Sequence, residues 1–464
     1  MPVTISSNIP SGNILEERIA GNSIELNIRG DIMNPNDFQW FNFELEGVIG
    51  ESYHVTINNA SHARFAEGWY AHDVAFQTSA SYDGENWFFI PTVYDVDVGE
   101  LTMTVHLDQA RIQLAFFPPY AYEKHLQLLS FIHAETSWKV ASLGKSAENR
   151  DITLVTIGEP SPLKKNIWMI AGQHPGEHQG PHYMDGLLRH LQTSFADYAD
   201  IFDKAVFYCV PNINPDGTVH GNLRTNLKGK DLNRMWQRAT IEESPEVFYV
   251  LEEMKRVGVD FFIDVHSDEV IPRGAFLDLG HNNSVTIDNA LMQLEQAFLE
   301  QFMTETPLMQ NELAYPIKAR ETSNLDLASA YIAEQYHCPA FTLEMPTNKW
   351  TVAQCHQLGI ASLKVIGHML PLLPQRVVEL PMASDVPVPR GPGSFSFLAE
   401  GFRRITTRKG TAVAKNSSDV SVEVPVDSNP SLDTQTSALD SNQVVVDEAN
   451  NQAPEHSSAC CTLS

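Results

Sequence analysis

The feature that most constrains the fold is an apolar run, residues 166–171, which ends at Gly172 and is followed by a helical pattern. The helix is predicted to begin near Pro181 and carries apolar residues at helical spacing, at Met184, Leu187, Leu188 and Leu191. His174 and Glu177 lie three residues apart in the Gly- and Pro-rich turn between them. Open α/β sheets place their chemistry where a strand ends in a loop and a helix follows. This stretch therefore predicts both a parallel sheet and a candidate site at its carboxyl edge.

Apolar strands alternate with helices from Tyr122 onward. The strand-like runs are 152–157, 205–210, 261–265 and 340–343. The main helical patterns between and after them are 245–257, 286–302 and 351–368. Interleaved strands and helices predict an α/β fold with a mixed or parallel sheet covered on both faces.

The first 116 residues have a different, period-two alternation, as in Ile24, Leu26 and Ile28. Short strands with turn residues between them predict an N-terminal antiparallel β-sandwich, in which nothing indicates catalysis. The paired prolines at 118 and 119 mark the boundary. We therefore predict a β-sandwich domain at 1–116, an α/β/α domain with a mixed sheet at 117–376, and a low-complexity, disordered tail at 377–464.

Composition excludes several classes of protein. A net charge of −27 argues against nucleic acid as a partner, because phosphate repels such a surface. The sequence lacks a secretory signal and any apolar run long enough to span a bilayer. Cys209, Cys338 and Cys355 lie in apolar segments, which indicates buried thiols in a reducing compartment. These observations predict a cytoplasmic protein.

A second imidazole follows another strand, since the run 261–265 ends at His266. Two histidines and one glutamate form a three-ligand zinc set that leaves a fourth position open for water, the catalytic arrangement. Asp264 or Asp268 could orient a ligand imidazole. The alternative is a structural, hydrogen-bonded His266, and a His-x-x-Glu pair such as His174 and Glu177 also arises by chance.

Four further polar residues lie in turns or at a strand end. Arg224 could polarise a carbonyl and stabilise an oxyanion, and Asn233 with Arg234 could hold a carboxylate. The alternative for these arginines is a solvated surface role. Glu344 ends the run 340–343 and could act as general base toward an activated water.

Together these motifs resemble the cytosolic carboxypeptidase branch of the zinc carboxypeptidase superfamily, in its bacterial form. The motifs occur in the family's order and are His174-Pro-Gly-Glu177, Asn214-Pro-Asp-Gly217, Gly221-Asn-Leu-Arg224, Asp231-Leu-Asn-Arg234, Asp264-Val-His266 and Thr342-Leu-Glu344. The resemblance covers about residues 1–375, because that branch also carries an N-terminal β-sandwich.

The resemblance implies a zinc metallocarboxypeptidase with one Zn²⁺ per chain. The roles that it implies are zinc ligands for His174, Glu177 and His266, carbonyl polarisation for Arg224, the grip on the substrate's terminal carboxylate for Asn233 and Arg234, and the general base for Glu344. It leaves Glu269 a supporting or substrate-facing role. A tyrosine that closes over the substrate in better-known members is not aligned here, and Tyr315 and Tyr331 both stay open.

Substrate preference rests on a shorter match. Eukaryotic relatives remove glutamates from protein tails, and Lys318 and Arg320 resemble the start of the basic segment that recognises the glutamate side chain. The arginine that follows in those relatives is replaced by residues 323–326, and Ser267 stands where the family usually has glycine. The expected partners are therefore peptide or protein C-terminal tails, with glutamate preference as a hypothesis.

Two other functions remain open. A zinc amidoacylase of a related branch would act on N-acyl amino acids and not on peptides. A non-catalytic, membrane-tethered binding module on the same fold is disfavoured by retention of the three ligands and Glu344.

The last four residues, 461–464, fit a C-a-a-X box in which Ser464 favours farnesylation of Cys461. Cys460 beside it could carry a palmitoyl group, and two lipids anchor far better than one. The alternative is a chance pair of cysteines. Because prenylation needs a eukaryotic enzyme, the box predicts membrane attachment inside a host cell.

Overall fold

The structure is a computed structural model that describes residues 2–70, 75–271, 273–310 and 322–374. We refer to residues 2–121 as the β-region and to residues 122–374 as the α/β region. Lys318, Arg320, Tyr315, Cys460 and Cys461, which the sequence singled out, lie outside the described residues.

The described residues of the β-region form nine strands and two short 3₁₀ helices, Ala60–His62 and Ala66–Trp69. The strands are β1 (Thr4–Ser6), β2 (Leu15–Ala20), β3 (Ser23–Asn27), β4 (Asn42–Glu46), β5 (Ser52–Ile57), β6 (Gln77–Ser81), β7 (Trp87–Asp95), β8 (Glu100–His106) and β9 (Arg111–Ala115). They form one sheet in the order β1-β4-β9-β6-β7-β8-β5-β3-β2. Alternate residues such as Ile24 and Leu26 are buried, as the period-two pattern predicts.

Strand β7 joins the two halves of this sheet. Its residues 87–91 pair with β6, and residues 92–95 pair with β8. The β-domain predicted as a sandwich is therefore one continuous, barrel-like sheet through this shared strand, with β1 and β2 as its edge strands. One pair departs from the antiparallel prediction: β3 and β5 run parallel, because the chain leaves between them to form β4 beside β1 and β9.

The α/β region begins with helix α1 (Tyr122–Glu135) and contains a seven-stranded sheet. Its strands are β10 (Lys139–Lys145), β11 (Asp151–Ile157), β12 (Lys165–Ala171), β13 (Ala205–Val210), β14 (Phe261–Asp268), β15 (Phe276–Leu279) and β16 (Ala340–Pro346). Its other helices are α2 (Gln179–Ser194), α3 (Ala199–Phe202), α4 (Pro215–His220), α5 (Pro245–Val257), α6 (Asn289–Glu305), α7 (Ala328–Tyr336) and α8 (Val352–Met369). Short 3₁₀ helices are Phe195–Tyr198, Leu232–Arg234, Gly280–Asn283 and Leu370–Leu372.

The strand order of this sheet is β10-β11-β13-β12-β14-β16-β15. The four central strands, β13, β12, β14 and β16, are parallel, while β10, β11 and β15 pair antiparallel at the edges. The prediction of a mixed sheet in an α/β fold is confirmed. Parallel central strands bring their carboxyl ends to one edge, which is where the candidate residues lie.

Helices cover both faces of the sheet. On one face Ile167, Met169 and Phe261 share a core with α2, α6 and α8, and on the other Trp168 and Phe262 pack with α5 and α7. The first of these cores continues without a break into the core of the β-region. Ring contacts cross between the two regions: the ring centroid of Trp40 lies 4.0 Å from that of His178, and the ring centroid of Phe117 lies 6.2 Å from that of His182 on α2.

The segment after β13 forms the short helix α4, although its Asn-Pro-Asp-Gly composition is typical of a turn. The Asn214 side chain caps this helix by accepting from the Gly217 N–H at 3.1 Å, and Pro215 occupies its first turn. The helix stops at Gly221, whose φ of +64° is the left-handed conformation that glycine tolerates.

Other sequence predictions concern thiols and membranes. Cys209, Cys338 and Cys355 are free and buried, as expected. In the part of the chain that the structure describes, no helix combines the length and apolar character needed to cross a bilayer.

Candidate active site

Three central strands deliver polar side chains to the carboxyl edge of the sheet. The turn after β12 carries His174 and Glu177, while β14 carries His266 and β16 carries Glu344. His266 and Glu344 are direct register partners on neighbouring parallel strands, so their side chains emerge on the same face. The structure thus brings together all four of these predicted residues.

His174, Glu177 and His266 form a cluster that we call the metal set. One ligating atom from each lies within 4.8 Å of the others, and all three side chains are buried. Glu177 Oε1 lies 2.6 Å from His174 Nδ1, and Glu177 Oε2 lies 2.8 Å from His266 Nδ1. Two imidazole nitrogens and a carboxylate oxygen facing one point fit the donor preference of Zn²⁺.

Carboxylates hold the far nitrogens of both imidazoles. Asp231 Oδ1 lies 3.0 Å from His174 Nε2, and Asp264 Oδ2 lies 2.7 Å from His266 Nε2. Gln173 donates from Nε2 to the same Asp264 oxygen at 2.5 Å. Such contacts fix ring orientation and raise the basicity of the nitrogen that faces a metal. Of the two orienting carboxylates that the sequence offered, the structure places Asp264, and not Asp268, against His266.

The ring nitrogens and carboxylates perturb one another strongly. Burial lowers the pKa of His266, but Asp264 and Glu177 outweigh it and raise that pKa well above its ordinary value. Burial opposes ionisation of Glu177, yet the two imidazoles hold its pKa well below its ordinary value. A site of strongly shifted pKa values at a sheet edge is typical of a functional centre.

Glu344 lies beside the metal set and is buried. Its Oε2 atom has no hydrogen-bond partner among the described residues. Burial raises the pKa of Glu344 well above its ordinary value, although the charge on His266 opposes this rise. Buried Glu269 shows the same direction of shift, again caused first by burial. Several buried carboxyl groups lie around one point, and those of Glu344 and Asp264 each have an oxygen without a hydrogen-bond partner among the described residues, which matches the place of a divalent cation.

Residues 221–234, which we call the arginine loop, carry the other candidates. Arg224 is almost fully buried and donates from Nε to Asp231 Oδ2 at 2.8 Å. Since the other Asp231 oxygen contacts His174, one carboxylate joins the arginine loop to the metal set. The Arg224 guanidinium also lies 5.8 Å from the ring centroid of Phe65, a residue of the β-region.

Asn233 and Arg234 lie in the 3₁₀ turn of the arginine loop. Asn233 Oδ1 accepts from the Ala328 N–H at 2.9 Å, which fixes the side-chain amide against α7. Arg234 is exposed and donates from Nη1 to its neighbour's carbonyl oxygen at 2.7 Å. Partial burial of the Arg234 side chain lowers its pKa, and the positive charges of nearby Arg224 and Arg64 lower that pKa further. Clustered guanidinium groups suit an anionic ligand.

Sequence reasoning overlooked two buried residues that support the metal set. Gln173 contacts Asp264, and Trp236 donates from Nε1 to Gln173 Oε1 at 3.0 Å. Gln173 sits inside the conspicuous turn and was detectable there, whereas Trp236 carried no sequence signal. Tyr331 on α7 packs against the apolar core, while Tyr315 lies outside the described residues.

Comparison with known proteins shows which proteins share this architecture. A model described as zinc carboxypeptidase matches residues 127–355, and one described as the cytosolic carboxypeptidase N-terminal domain matches residues 5–117. A crystal structure of a putative carboxypeptidase A from Shewanella denitrificans is 38% identical, with a TM-score of 0.76 over 80% of this chain and 100% of that one. A metallo-carboxypeptidase from Pseudomonas aeruginosa, in complex with (2-guanidinoethylmercapto)succinic acid, is 35% identical, with a TM-score of 0.75 over 79% and 99% of the two chains.

Human cytosolic carboxypeptidase 2 is a more distant relative. It is 27% identical over 54% of this chain, and the match spans only 31% of the human protein. The fold and the matches define a metallocarboxypeptidase, which is a hydrolase. The chain belongs to the zinc carboxypeptidase family and carries the N-terminal domain of the cytosolic carboxypeptidases. The predicted enzyme class is confirmed, and family membership implies zinc.

Proposed function

We propose that this enzyme removes C-terminal residues from peptides or protein tails, with one Zn²⁺ held by His174, Glu177 and His266. The observation that carries this proposal is the convergence of three ligating atoms beside buried Glu344. A bound Zn²⁺ would polarise the scissile carbonyl and lower the pKa of a coordinated water.

Glu344 acts as the general base. Its raised pKa and its unpaired oxygen at the sheet edge suit a group that takes a proton from the attacking water. The same carboxyl group then delivers that proton to the amine nitrogen of the leaving residue as the peptide bond breaks. Arg224, fixed by Asp231, stabilises the negative charge that develops on the carbonyl oxygen.

Asn233 and Arg234 hold the substrate's terminal carboxylate. The exposed guanidinium of Arg234 offers the planar fork that matches a carboxylate, and the Asn233 amide, tied to Ala328 through its oxygen, keeps its nitrogen for donation. The Pseudomonas neighbour was solved with a succinic acid derivative, a ligand with two carboxyl groups, which supports a carboxylate-binding pocket.

The finer specificity is part of the same proposal. A preference for C-terminal glutamate is supported by the cluster of Arg64, Arg224 and Arg234 near the site and by the match of Lys318 and Arg320 to a basic recognition segment. We further propose the domain limits 1–116, 117–376 and 377–464. Cytoplasmic location and lipid attachment at Cys460 and Cys461 stay predictions of the sequence.

The test combines zinc content with turnover of peptides that end in Glu, Leu or Lys, for wild type and Glu344→Gln. We expect about one zinc per chain in both proteins, a loss of turnover of at least about 1000-fold in Glu344→Gln, and Glu as the preferred residue. Glu252→Gln is the control, because Glu252 is exposed on α5 and pairs with Lys255 away from the metal set.

Three other outcomes contradict parts of this proposal. Full turnover by Glu344→Gln would show that Glu344 is not the general base. A preference for Leu or Lys would reject the glutamate preference and leave the rest of the proposal in place. Zinc without any peptide turnover, but with cleavage of N-acyl amino acids, replaces the carboxypeptidase by an amidoacylase.

A further inference from the structure

A buried carboxylate of the β-region holds the backbone of the arginine loop. Asp31 accepts from the backbone N–H groups of Leu223 at 2.5 Å, Arg224 at 2.9 Å and Thr225 at 2.7 Å, and from the Thr225 hydroxyl at 2.8 Å. Asp31 is only 1% exposed, so these bonds are shielded from water. All of its donors belong to the residues on either side of Arg224 and to Arg224 itself.

Only an ionised carboxylate satisfies four donors in this place. An asparagine amide would turn two N–H donors toward the loop, and a protonated acid would turn one. Burial raises the pKa of Asp31, and the donors of the arginine loop oppose that rise. The free-energy cost of leaving these buried donors unpaired exceeds the net free energy gained by forming the hydrogen bonds. The loop backbone is therefore strongly held by the Asp31 side chain.

Further contacts between the β-region and this segment surround the Asp31 cluster. They run to backbone oxygens of residues 218–221 and come from Ser11 Oγ at 2.7 Å, Asn13 Nδ2 at 2.9 Å and Arg29 Nη2 at 2.6 Å. Gly221 permits this close approach, because a Cβ atom there would lie 2.7 Å from the Ser11 carbonyl oxygen. The β-region thus holds the segment that precedes Arg224 through the backbone carbonyl groups of Thr218, His220 and Gly221.

The docked backbone determines where the Arg224 side chain begins. From this position Nε reaches Asp231, which also contacts His174 of the metal set. The Leu223 carbonyl accepts from the Gly176 N–H at 2.9 Å, so the same stretch abuts the turn of the metal set. A catalytic donor displaced by about 1 Å can lower the rate about 100-fold.

We propose that Asp31 is a positioning residue for Arg224, and that the β-region thereby completes the active site of the α/β region. The proposal rests on the role given to Arg224 in the proposed function. Asp31 touches neither substrate nor metal in this account; it fixes the backbone from which the oxyanion-stabilising guanidinium extends.

The test is Asp31→Asn in the full chain, with kcat, KM, zinc content and backbone amide exchange of residues 222–226 as readouts. We expect kcat to fall about 100-fold while KM and zinc content stay close to wild type, since Arg224 acts on charge that develops in the transition state. The amides of 223–225 should exchange faster, and those of β12 should not change. Thr78→Val, which removes a buried hydrogen bond to Thr92 within the β-region and away from the arginine loop, should keep wild-type kcat.

A double-mutant cycle separates positioning from general loosening of the fold. If Asp31 acts through Arg224, adding Asp31→Asn to Arg224→Ala should cost no further activity. Thr225→Val removes one donor, should lower kcat about 3- to 10-fold, and serves if Asp31→Asn does not fold. Additive losses, or unchanged kcat and amide exchange in both Asp31→Asn and Thr225→Val, overturn the proposal. If amide exchange is faster in Asp31→Asn but the wild-type chain cleaves no peptide, the result still supports positioning of the loop by Asp31 and rejects the proposed peptidase function instead.

Discussion

The metal set and the arginine loop lie side by side, but they are built by different means. His266 belongs to a central strand, and the turn of His174 and Glu177 directly follows another. Residues 221–234 contain no strand and only one 3₁₀ turn, and they are fixed by side chains such as Asp31 and Asp231. One half of the site is thus supported by the backbone ladder of a sheet and the other by buried carboxylates.

This difference separates two chemical tasks. Metal ligation requires ligand atoms fixed to a few tenths of an ångström, and strand ends within a packed sheet provide that rigidity. The arginines that we propose to face the substrate lie on a loop, and loops commonly carry binding residues. Here the loop is held by a second region of the chain, so geometry at the metal set and at Arg224 can be perturbed independently.

The largest effect is expected from the strand-borne half. His266→Ala removes one of the three proposed ligands, so the chain should lose most of its zinc and at least about 1000-fold in kcat/KM. Zinc analysis of the purified chain and turnover of a peptide substrate measure both. His190→Ala is the control. His190 lies in the last turns of α2, where it contacts Tyr198, so its replacement should keep zinc and turnover. Full zinc content in His266→Ala would exclude it as a ligand.

A smaller effect concerns the contact between the arginine loop and helix α5. Asn226 donates to buried Glu246 at 3.0 Å, and burial raises the pKa of Glu246 to about 7. Because the folded-state pKa lies above the unfolded value of 4.5, the stabilisation by this proton is complete below pH 4.5 and is lost as pH rises through 7. Wild type should lose about 3 kcal/mol of unfolding free energy from this group by pH 8.

Urea unfolding at pH 5 and pH 8 measures this loss. Glu246→Gln cannot ionise, so its unfolding free energy should fall by about 2.5 kcal/mol less than that of wild type between pH 5 and pH 8. Glu243→Gln, a change at a nearby exposed carboxylate, should retain the wild-type dependence. Identical pH dependence in wild type and Glu246→Gln would show that Glu246 is ionised at little cost in the folded chain.

The smallest effect distinguishes the two kinds of carboxylate support. Asp264→Asn weakens the contact that orients His266, and we expect zinc affinity to fall about 10- to 100-fold. Asp31→Asn should leave zinc affinity unchanged while it lowers kcat. Competition with a metal chelator measures both variants under one condition. An equal loss of affinity in the two variants would mean that the metal set and the arginine loop are not supported separately.

Much of the α/β fold was predictable because local signals agree with packing. Helix α5 has the predicted limits, since Pro245 starts it and Gly258 follows it. Both faces of the central strands are buried, so continuous apolar runs identified β12 and β14. The metal set followed from imidazoles and a carboxylate placed just where such runs stop.

Other parts had no local signal. Asp31 is 192 residues from Leu223 and stands in a loop with no motif around it, so its contact depends on tertiary structure alone. The short edge strand β15 has only four residues, and helix α7 begins without a side-chain cap, so neither was predicted. The parallel pairing of β3 and β5 likewise depends on the path of the chain between them.

The apolar core that the β-region shares with α2 and α8 has a consequence for how the molecule melts. Two regions that share one core cannot lose their packing separately without exposing large aromatic surfaces such as Phe41 and Trp69 to water. Heating should therefore give a single cooperative transition for both regions. The two family matches are separated by residues 118–126, yet Phe117 and Tyr120 at this boundary are buried in the folded chain.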